Sequence, residues 1–235
     1  MAKYKDFTIV LPTLNEEETV GVLIRRLLRQ YGGISIMVVD DGSKDGTARI
    51  VREISRTNRT VSFFDRAKAH KERGLTASVV DGILGSRTRF AIVMDADMQH
   101  PPEVIRFMAE KLVRGCALVV ATRADVKGWE FYRKAISKAL IGVGYAILLI
   151  TARSRCRDIF SGFFGIDREL FAKTYRANKG RFVGGGYKVL YDFLKCTRNG
   201  DIIIDQIPYS FGLRRHGASK AGLRQGLLLF KSFIT

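Results

Sequence analysis

The stretch Ala91-Ile92-Val93-Met94-Asp95-Ala96-Asp97-Met98-Gln99-His100-Pro101-Pro102 is an apolar run that ends abruptly in two carboxylates at i and i+2. A short apolar run bounded by turn residues reads as a buried strand. If extended geometry persists through Asp97, both acids leave the same face and converge at the strand's carboxyl end. Converging hard oxygens suit Mg²⁺ or Mn²⁺, with the Gln99 amide oxygen as a third ligand and a substrate phosphate completing the shell. The bland alternative is a solvated strand end carrying two surface acids, so the flanking sequence has to decide.

Outward from this run, strands alternate with helices. Phe7 to Leu11 reads as a first buried strand stopped by Pro12, and Asn15 with Glu18 forms a capping box for an amphipathic helix to Tyr31. Ile34 to Val39 is a second strand, followed by Asp40-Asp41-Gly42-Ser43 and a helix opened by Asp45 or Thr47 that runs to Thr57. Thr60 to Phe64 and Ala117 to Ala121 read as further strands, with helices over Gly74 to Gly85 and Pro102 to Gly115. This alternation specifies an α/β fold with a mostly parallel, doubly wound sheet flanked by helices, whose ligands collect at the carboxyl ends of the strands. Pro12-Thr13-Leu14-Asn15-Glu16, Asp40-Asp41-Gly42-Ser43, Asp95-Ala96-Asp97 and Thr122-Arg123 all follow predicted strands, so four polar clusters share one rim. A crevice for a phosphorylated ligand explains that concentration, whereas a structural sheet has no reason for it.

The chain has 235 residues, 46% of them hydrophobic, enough for a single domain with one sizeable core. Forty Lys and Arg against 23 Asp and Glu give a formal charge of +17, which attracts polyanions: nucleic acid, phosphorylated small molecules or an anionic membrane surface. No nucleic-acid-binding motif or basic aromatic face accompanies that charge, so nucleic acid is not expected as a partner. The absence of GxGxxG and GxxxxGK[ST] weakens dinucleotide and P-loop readings. Cys116, Cys156 and Cys196 have neither CxxC spacing nor an even count, which favours a reducing compartment. The opening residues lack an apolar signal-peptide core, so export is not supported.

Beyond residue 125 the alternation ceases. Ala135 to Thr151 is mostly apolar, too short in its charge-free part for the roughly 20 residues of a spanning helix, and flanked by Arg133, Lys134, Lys138, Arg153, Arg155 and Arg157. Two readings stay open: an amphipathic helix lying in a membrane interface, or a buried core helix. Residues 221–235 form a second basic-apolar segment, leaving open a membrane-spanning partner subunit or further membrane helices beyond Thr235. One domain over 1–235 is expected, dividing into 1–125, 126–220 and a basic-apolar, membrane-proximal tail over 221–235.

Leu11-Pro-Thr-Leu-Asn-Glu16, Val39-Asp-Asp-Gly-Ser43, Met94-Asp-Ala-Asp-Met-Gln-His-Pro-Pro102, Asp158-Ile-Phe-Ser-Gly-Phe163 and Arg214-Arg-His-Gly-Ala-Ser-Lys220, in that order, resemble glycosyltransferase family 2. The nearest likeness is to the branch that makes dolichyl- and polyprenyl-phosphate mannose. The resemblance implies a GT-A fold whose 1–125 half binds a nucleotide-sugar donor such as GDP-mannose and whose 126–220 half binds the acceptor, with Mg²⁺ or Mn²⁺, inversion at the anomeric carbon, and a polyprenyl or dolichyl monophosphate acceptor met peripherally at the cytoplasmic face of a membrane. Carried over by position, Pro12, Leu14, Glu16, Val39 and Asp41 match residues that hold the nucleoside, with Asp41 near the base and Glu16 near the ribose. Asp95, Ala96, Asp97 and Gln99 match the donor and metal motif, and Arg123 its basic neighbour. Arg214 and Lys220 match the pair that closes over the phosphates, and Arg133 is expected to help them hold the acceptor phosphate. Leu14 replaces a usual tyrosine, Phe163-Phe164-Gly165 lacks an arginine often found there, and Asp192 replaces a common glutamate. These departures leave a UDP-sugar donor, and a polyprenyl-phosphate glucose product, as the competing expectation. A non-catalytic membrane scaffold of the same fold is disfavoured by Asp95, Asp97 and Gln99. A phosphate monoester is mostly ionised at neutral pH, so its attack needs no dedicated base, and His70, His100 and His216 are expected to be structural.

Overall fold

The computed structural model describes residues 3–69, 73–126, 131–186, 188–212, 228 and 230–233, without side chains at 125, 126 and 131–137. In chain order the elements are β1 (Phe7–Thr13), α1 (Val20–Gln30), β2 (Ser35–Asp40), α2 (Thr47–Thr57), β3 (Val61–Asp65), α3 (Arg66–Ala69), α4 (Leu75–Gly85), β4 (Phe90–Val93), α5 (Val104–Val113), β5 (Leu118–Val126), α6 (Phe131–Ile150), β6 (Phe164–Asp167), α7 (Arg168–Ala177), α8 (Val189–Leu194) and β7 (Ile204–Phe211). The strands form one sheet in the order β3-β2-β1-β4-β6-β5-β7. All pairings are parallel except those of β6, which runs antiparallel to both β4 and β5. The expected mostly parallel sheet is therefore present, with two strands, β6 and β7, that the pattern did not announce.

Alternation along the strands sorts the core into two layers. Ile9, Leu11, Ile36, Val38, Ile92 and Val119 face α1 and α5, whose buried stripes Val20, Leu23, Ile24, Leu27 and Ile105, Met108, Leu112 recur at helical spacing. Val10, Val39, Ala91, Val93, Leu118 and Val120 face the other way, toward α4, α7 and α8. Gly82 lets α4 lie directly on the sheet, because a Cβ there would stand 2.3 Å from Val10 Cγ1.

Three local expectations are corrected. Pro12 does not stop β1; it pairs in register with Val39. The β1–β4 ladder ends at Val10 and Val93, so the amide hydrogen that Pro12 lacks has no strand to serve on that side. Asn15 caps no helix: it adopts a left-handed conformation (φ 54°), takes the Lys44 amide on Oδ1 at 2.8 Å and gives its own amide to Ser43 Oγ at 2.8 Å, while α1 begins at Val20. Extended geometry does not reach Asp97, because β4 ends at Val93. By contrast β5 outruns its predicted end, and Arg123 lies within it.

Helix α6 is buried along one line and exposed along another. Gly144 and Leu148 are buried, whereas Val143, Leu149 and Ile150 are 50%, 53% and 83% exposed. None of the helices, among the described residues, is long and apolar enough to cross a membrane. The chain's last described residues pack back on the domain: Ser232 is buried, its carbonyl accepts from Lys195 Nζ at 2.6 Å, and the Phe233 ring meets Phe160 and Tyr191. Leu148→Ala should cost about 2–5 kcal/mol through lost burial and a residual cavity, while Leu149→Ala should stay within about 0.5 kcal/mol. Urea unfolding of the two variants checks this orientation of α6, and equal losses would overturn it.

Candidate functional site

The carboxyl ends of β1, β2, β4 and β5 reach one rim because these strands share a direction, and the exits of β2, β4 and β5 are braced by carboxylates. At β2, Asp40 Oδ1 takes the amides of Gly42 and Ser43 at 3.0 and 2.8 Å, and Oδ2 takes the hydroxyls of Thr13 and Ser43 at 3.1 and 2.5 Å. The turn needs glycine at 42, where φ is +95°. Asp41 is also anchored, accepting from the Arg66 guanidinium and from the Gly74 amide at 2.9 Å. Arg66 is 3% exposed and donates from Nε to Asp81 at 2.7 Å. Asp41 thus joins β2 to the starts of α3 and α4 at the end of the rim where a nucleoside is expected.

Its neighbours there are Leu14 and Glu16, both half-buried, with the Glu16 amide given to Thr47 Oγ1 at 2.8 Å. Pro12 is buried, and Val39 is fully buried with Cγ2 only 3.0 Å from where a Gly82 Cβ would stand. The Val39 side chain therefore belongs to the core under α4.

The acids Asp95 and Asp97 sit on an irregular turn that follows β4. Met98 takes a left-handed conformation (φ 65°), and Asp97 Oδ1 accepts the Gln99 amide at 3.1 Å. A non-glycine residue held at positive φ is strain of a kind that clusters at functional sites. Asp97 and Ala96 are buried and Asp95 is half-exposed. The Asp95 amide donates to His100 Nδ1 at 3.0 Å, and the His100 ring stacks on Phe163 with centroids 4.9 Å apart. Burial pushes the imidazole down to about 4, against the opposing pull of Asp97. Gln99 donates from Nε2 to the Gly212 carbonyl at 3.0 Å and receives the Gly212 amide on its own carbonyl at 3.1 Å. The Gln99 amide nitrogen thus ties the acidic turn to the exit of β7.

Beyond the acids, Arg123 and Asp158 form a bidentate pair, Nε to Oδ2 at 2.7 Å and Nη2 to Oδ1 at 2.8 Å, both largely buried. The segment around Asp158 is laid along β5 by Ser161, whose hydroxyl donates to the Ala121 carbonyl at 2.7 Å. It also brings Gly162 against the acidic turn, where a Cβ would stand 3.4 Å from Asp95 Oδ2. Half-buried Lys188, the residue before α8, places Nζ 4.8 Å from the Phe160 ring centre. Burial and the Arg123 charge push its ammonium down to about 7, opposed by Asp158 and Asp95.

Among the described residues no three His, Cys, Asp or Glu side chains are grouped to hold a metal. Two acids on one turn still suit Mg²⁺ or Mn²⁺, which is commonly held by one or two carboxylates with substrate phosphates and water supplying the rest. The structure thus brings Pro12, Leu14, Glu16, Asp41, Asp95, Ala96, Asp97, Gln99 and Arg123 to one rim. The Arg133 side chain, Arg214 and Lys220 lie outside the described residues. Sequence reasoning missed Asp158 as the partner of Arg123, Arg66 as the partner of Asp41, and Lys188 altogether. The Asp158-Ile-Phe-Ser-Gly-Phe163 motif was a signal for the first; nothing local signals the other two.

The glycosyl transferase family 2 model matches residues 8–174. A dolichol-phosphate mannosyltransferase of Pyrococcus furiosus is 34% identical over 219 residues, covering 91% of this chain, and one of Mycosarcoma maydis is 30% identical over 238 residues, covering 95%. The chain spans 58% of the length of the first and 75% of the second. In solved structures, glucosyl-3-phosphoglycerate synthase from Mycobacterium tuberculosis, in complex with Mn²⁺, UDP-glucose and phosphoglyceric acid, superposes with TM-score 0.66 at 18% identity, covering 97% of this chain and 80% of its own. Mannosyl-3-phosphoglycerate synthase from Rubrobacter xylanophilus gives 0.63 at 19% identity, covering 97% and 72%. The fold is that of the GT-A glycosyltransferases.

The neutral, buried His100 makes a pH prediction. At pH values between 6.5 and 4 the unfolded chain binds a proton on His100 that the native state refuses, so stability falls as the pH is lowered through that window, by about 3 kcal/mol at its end. Above pH 6.5 this contribution vanishes. Denaturant unfolding across the window should show a shallower dependence in His100→Gln than in the parent, and identical slopes would refute the assignment.

Proposed function

The chain belongs to glycosyl transferase family 2, and from that premise we propose that it transfers mannose from GDP-mannose, with inversion, to a dolichyl or other polyprenyl monophosphate. The observation that carries this reading is the rim itself, where the acidic turn at Asp95 and Asp97 stands between the nucleoside end at Leu14, Glu16 and Asp41 and the cationic end at Arg123. A donor laid along the rim puts its diphosphate at the acids and its sugar toward Arg123. The mannosyltransferase relatives support the sugar and the lipid class.

Asp95 and Asp97 are the residues that would hold Mg²⁺ or Mn²⁺, which when bound neutralises charge on the departing diphosphate. Met98 and the Asp97–Gln99 bond fix the turn, so the carboxylates need little reorganisation. The acceptor oxygen is already ionised, and the chain's task is to hold two anions in line. Arg123, oriented by Asp158, contributes a fixed guanidinium, and the remaining phosphate charge is assigned to Arg214 and Lys220, by their place in the family's motif, and to Arg133. Because Gly212 is bonded to Gln99, the chain sets out toward Arg214 from beside the acidic turn.

The reading also places the protein against the cytoplasmic face of an anionic membrane, supported by the exposed Val143, Leu149 and Ile150 and by the charge of +17. A membrane-spanning partner subunit or membrane helices beyond Thr235 would add to this attachment.

Assays of GDP-mannose and UDP-glucose side by side, each with a polyprenyl phosphate and Mn²⁺, test the donor, and preference for UDP-glucose would replace mannose by glucose in the reading. Asp97→Ala should lower transfer at least about 100-fold, the scale of losing a positioned electrostatic group, while the lost bond to the Gln99 amide costs only about 1–3 kcal/mol of stability and leaves the protein folded. An unimpaired Asp97→Ala enzyme would remove the metal assignment. Leu149→Asp with Ile150→Asp should release the folded protein from anionic vesicles in a sedimentation assay; retention equal to the parent would show that α6 is not the anchor.

A further inference from the structure

The chain leaving α6 turns at Ala152, which is held in a left-handed conformation (φ 51°), and then lies against the loop that follows α8. Ser154 donates its amide to the Thr197 carbonyl at 3.0 Å, and Asn199 donates its amide to the Ala152 carbonyl at 3.0 Å. These two bonds flank Arg153 and Arg198, which face each other as a non-hydrogen-bonded antiparallel pair. Residues opposed in this way have Cα atoms about 4.5 Å apart, and their side chains leave the same face.

Like charges directly opposite each other are destabilising. Among the described residues no carboxylate pairs with either guanidinium, and Asp201 of the same loop forms no ion pair. The neighbouring side chains add charge of the same sign. Arg155, two residues on, donates Nη1 to the Arg153 carbonyl at 3.5 Å, and Arg181 donates Nη1 to the Lys195 carbonyl at 3.5 Å. Arg181 and Arg153 both act electrostatically on the Cys196 thiol, whereas the Lys195 ammonium is matched by Asp192 at 3.0 Å. Arg153 is half-buried, so water screens the repulsion only in part.

This cluster stands apart from the rim. Its loop leads into β7, whose first residue Ile204 pairs with Leu118 at the amino end of β5, whereas Arg123 pairs with Tyr209. Five residues of strand, about 16 Å, lie between them. What adjoins the arginines is the end of α6: the Arg153 amide bonds the Leu148 carbonyl at 2.8 Å, and Leu149 and Ile150 are exposed. A free anion would meet the arginines alone. An anionic bilayer meets both features, taking the aliphatic side chains into its acyl boundary while its phosphates face the guanidinium groups.

We propose that Arg153, Arg198 and Arg181 form a docking surface for the phosphate headgroups of an anionic bilayer, beside the apolar end of α6. The inference rests on the membrane placement proposed above and assigns to it specific cations remote from the catalytic rim.

The test is sedimentation of the full chain with vesicles of phosphatidylcholine, alone or mixed with phosphatidylglycerol. The parent should prefer the mixed vesicles, and Arg153→Gln with Arg198→Gln should weaken that binding roughly 30-fold, the scale of two basic residues at an anionic surface. Arg153→Lys with Arg198→Lys should retain most of the affinity. Arg56→Gln with Arg59→Gln removes the same charge from beside β3, at the opposite edge of the sheet, and should change binding less than about threefold. The thermal midpoint of Arg153→Gln with Arg198→Gln should equal or exceed the parent's, because a like-charged pair has been removed. Equal losses of binding in the two glutamine variants overturn the proposal, since net charge would then be the cause. So does a lowered midpoint, which marks a structural pair, or inorganic phosphate that raises the parent's midpoint as much as the mixed vesicles do, which marks a site for a free anion. If the Arg153→Gln, Arg198→Gln protein binds as the parent does, the membrane placement stands and the role given to these arginines is refuted; a parent that binds neither vesicle removes the placement and the inference together.

Discussion

The Arg123–Asp158 ion pair holds together the half of the sheet that the simple strand-helix alternation does not build. A buried carboxylate and guanidinium are tolerated only when each satisfies the other, and here both oxygens of Asp158 are taken by one planar fork within 2.8 Å. That geometry fixes the segment preceding β6 against β5. Ser161 then bonds Ala121, the Ala121 amide bonds the Phe163 carbonyl, and β6 enters the sheet antiparallel between β4 and β5. Loss of the pair would leave a charge buried at the point where three strands meet.

From that anchoring follows the composition of the rim. The turn into β6 brings Gly162 beside Asp95, Phe163 beneath the His100 ring, and Phe160 between Lys188 and α6. Other turns on the rim are braced in a similar way, by carboxylates that collect open backbone amides: Asp40 after β2, Asp45 before α2 and Asp97 after β4. The rim's acids thus divide the labour. Asp40, Asp45 and Asp158 are occupied in holding the backbone or a partner, Asp41 in joining two segments, and Asp95 keeps a half-exposed side chain on the crevice.

Helix α6 links this polar rim to an apolar exterior. Its buried line, Gly144 and Leu148, packs on the segment that Asp158 anchors, and its outer line carries exposed aliphatic residues.

By itself the sequence determined the first half of the fold and the position of its site. Apolar runs of period two and stripes at helical spacing are local properties, so β1 through α5 and the Asp95–Asp97 turn were legible from residues close together in the chain, and the family's motifs were legible from their order. Other features depended on partners distant in sequence. Pro12 is tolerated within β1 because the β4 ladder has already ended, Asn15 is drawn from a helix cap to the turn at Ser43, and β6 runs against its neighbours because Arg123 and Asp158, 35 residues apart, pair. Lys188 gains its surroundings in the same way, from strands and loops separated from it by 25 residues or more. Local pattern sets which segments become strands and helices, whereas desolvating a charge is a cost that only the assembled structure can offset, and it is the pairing of those charges that decided the site.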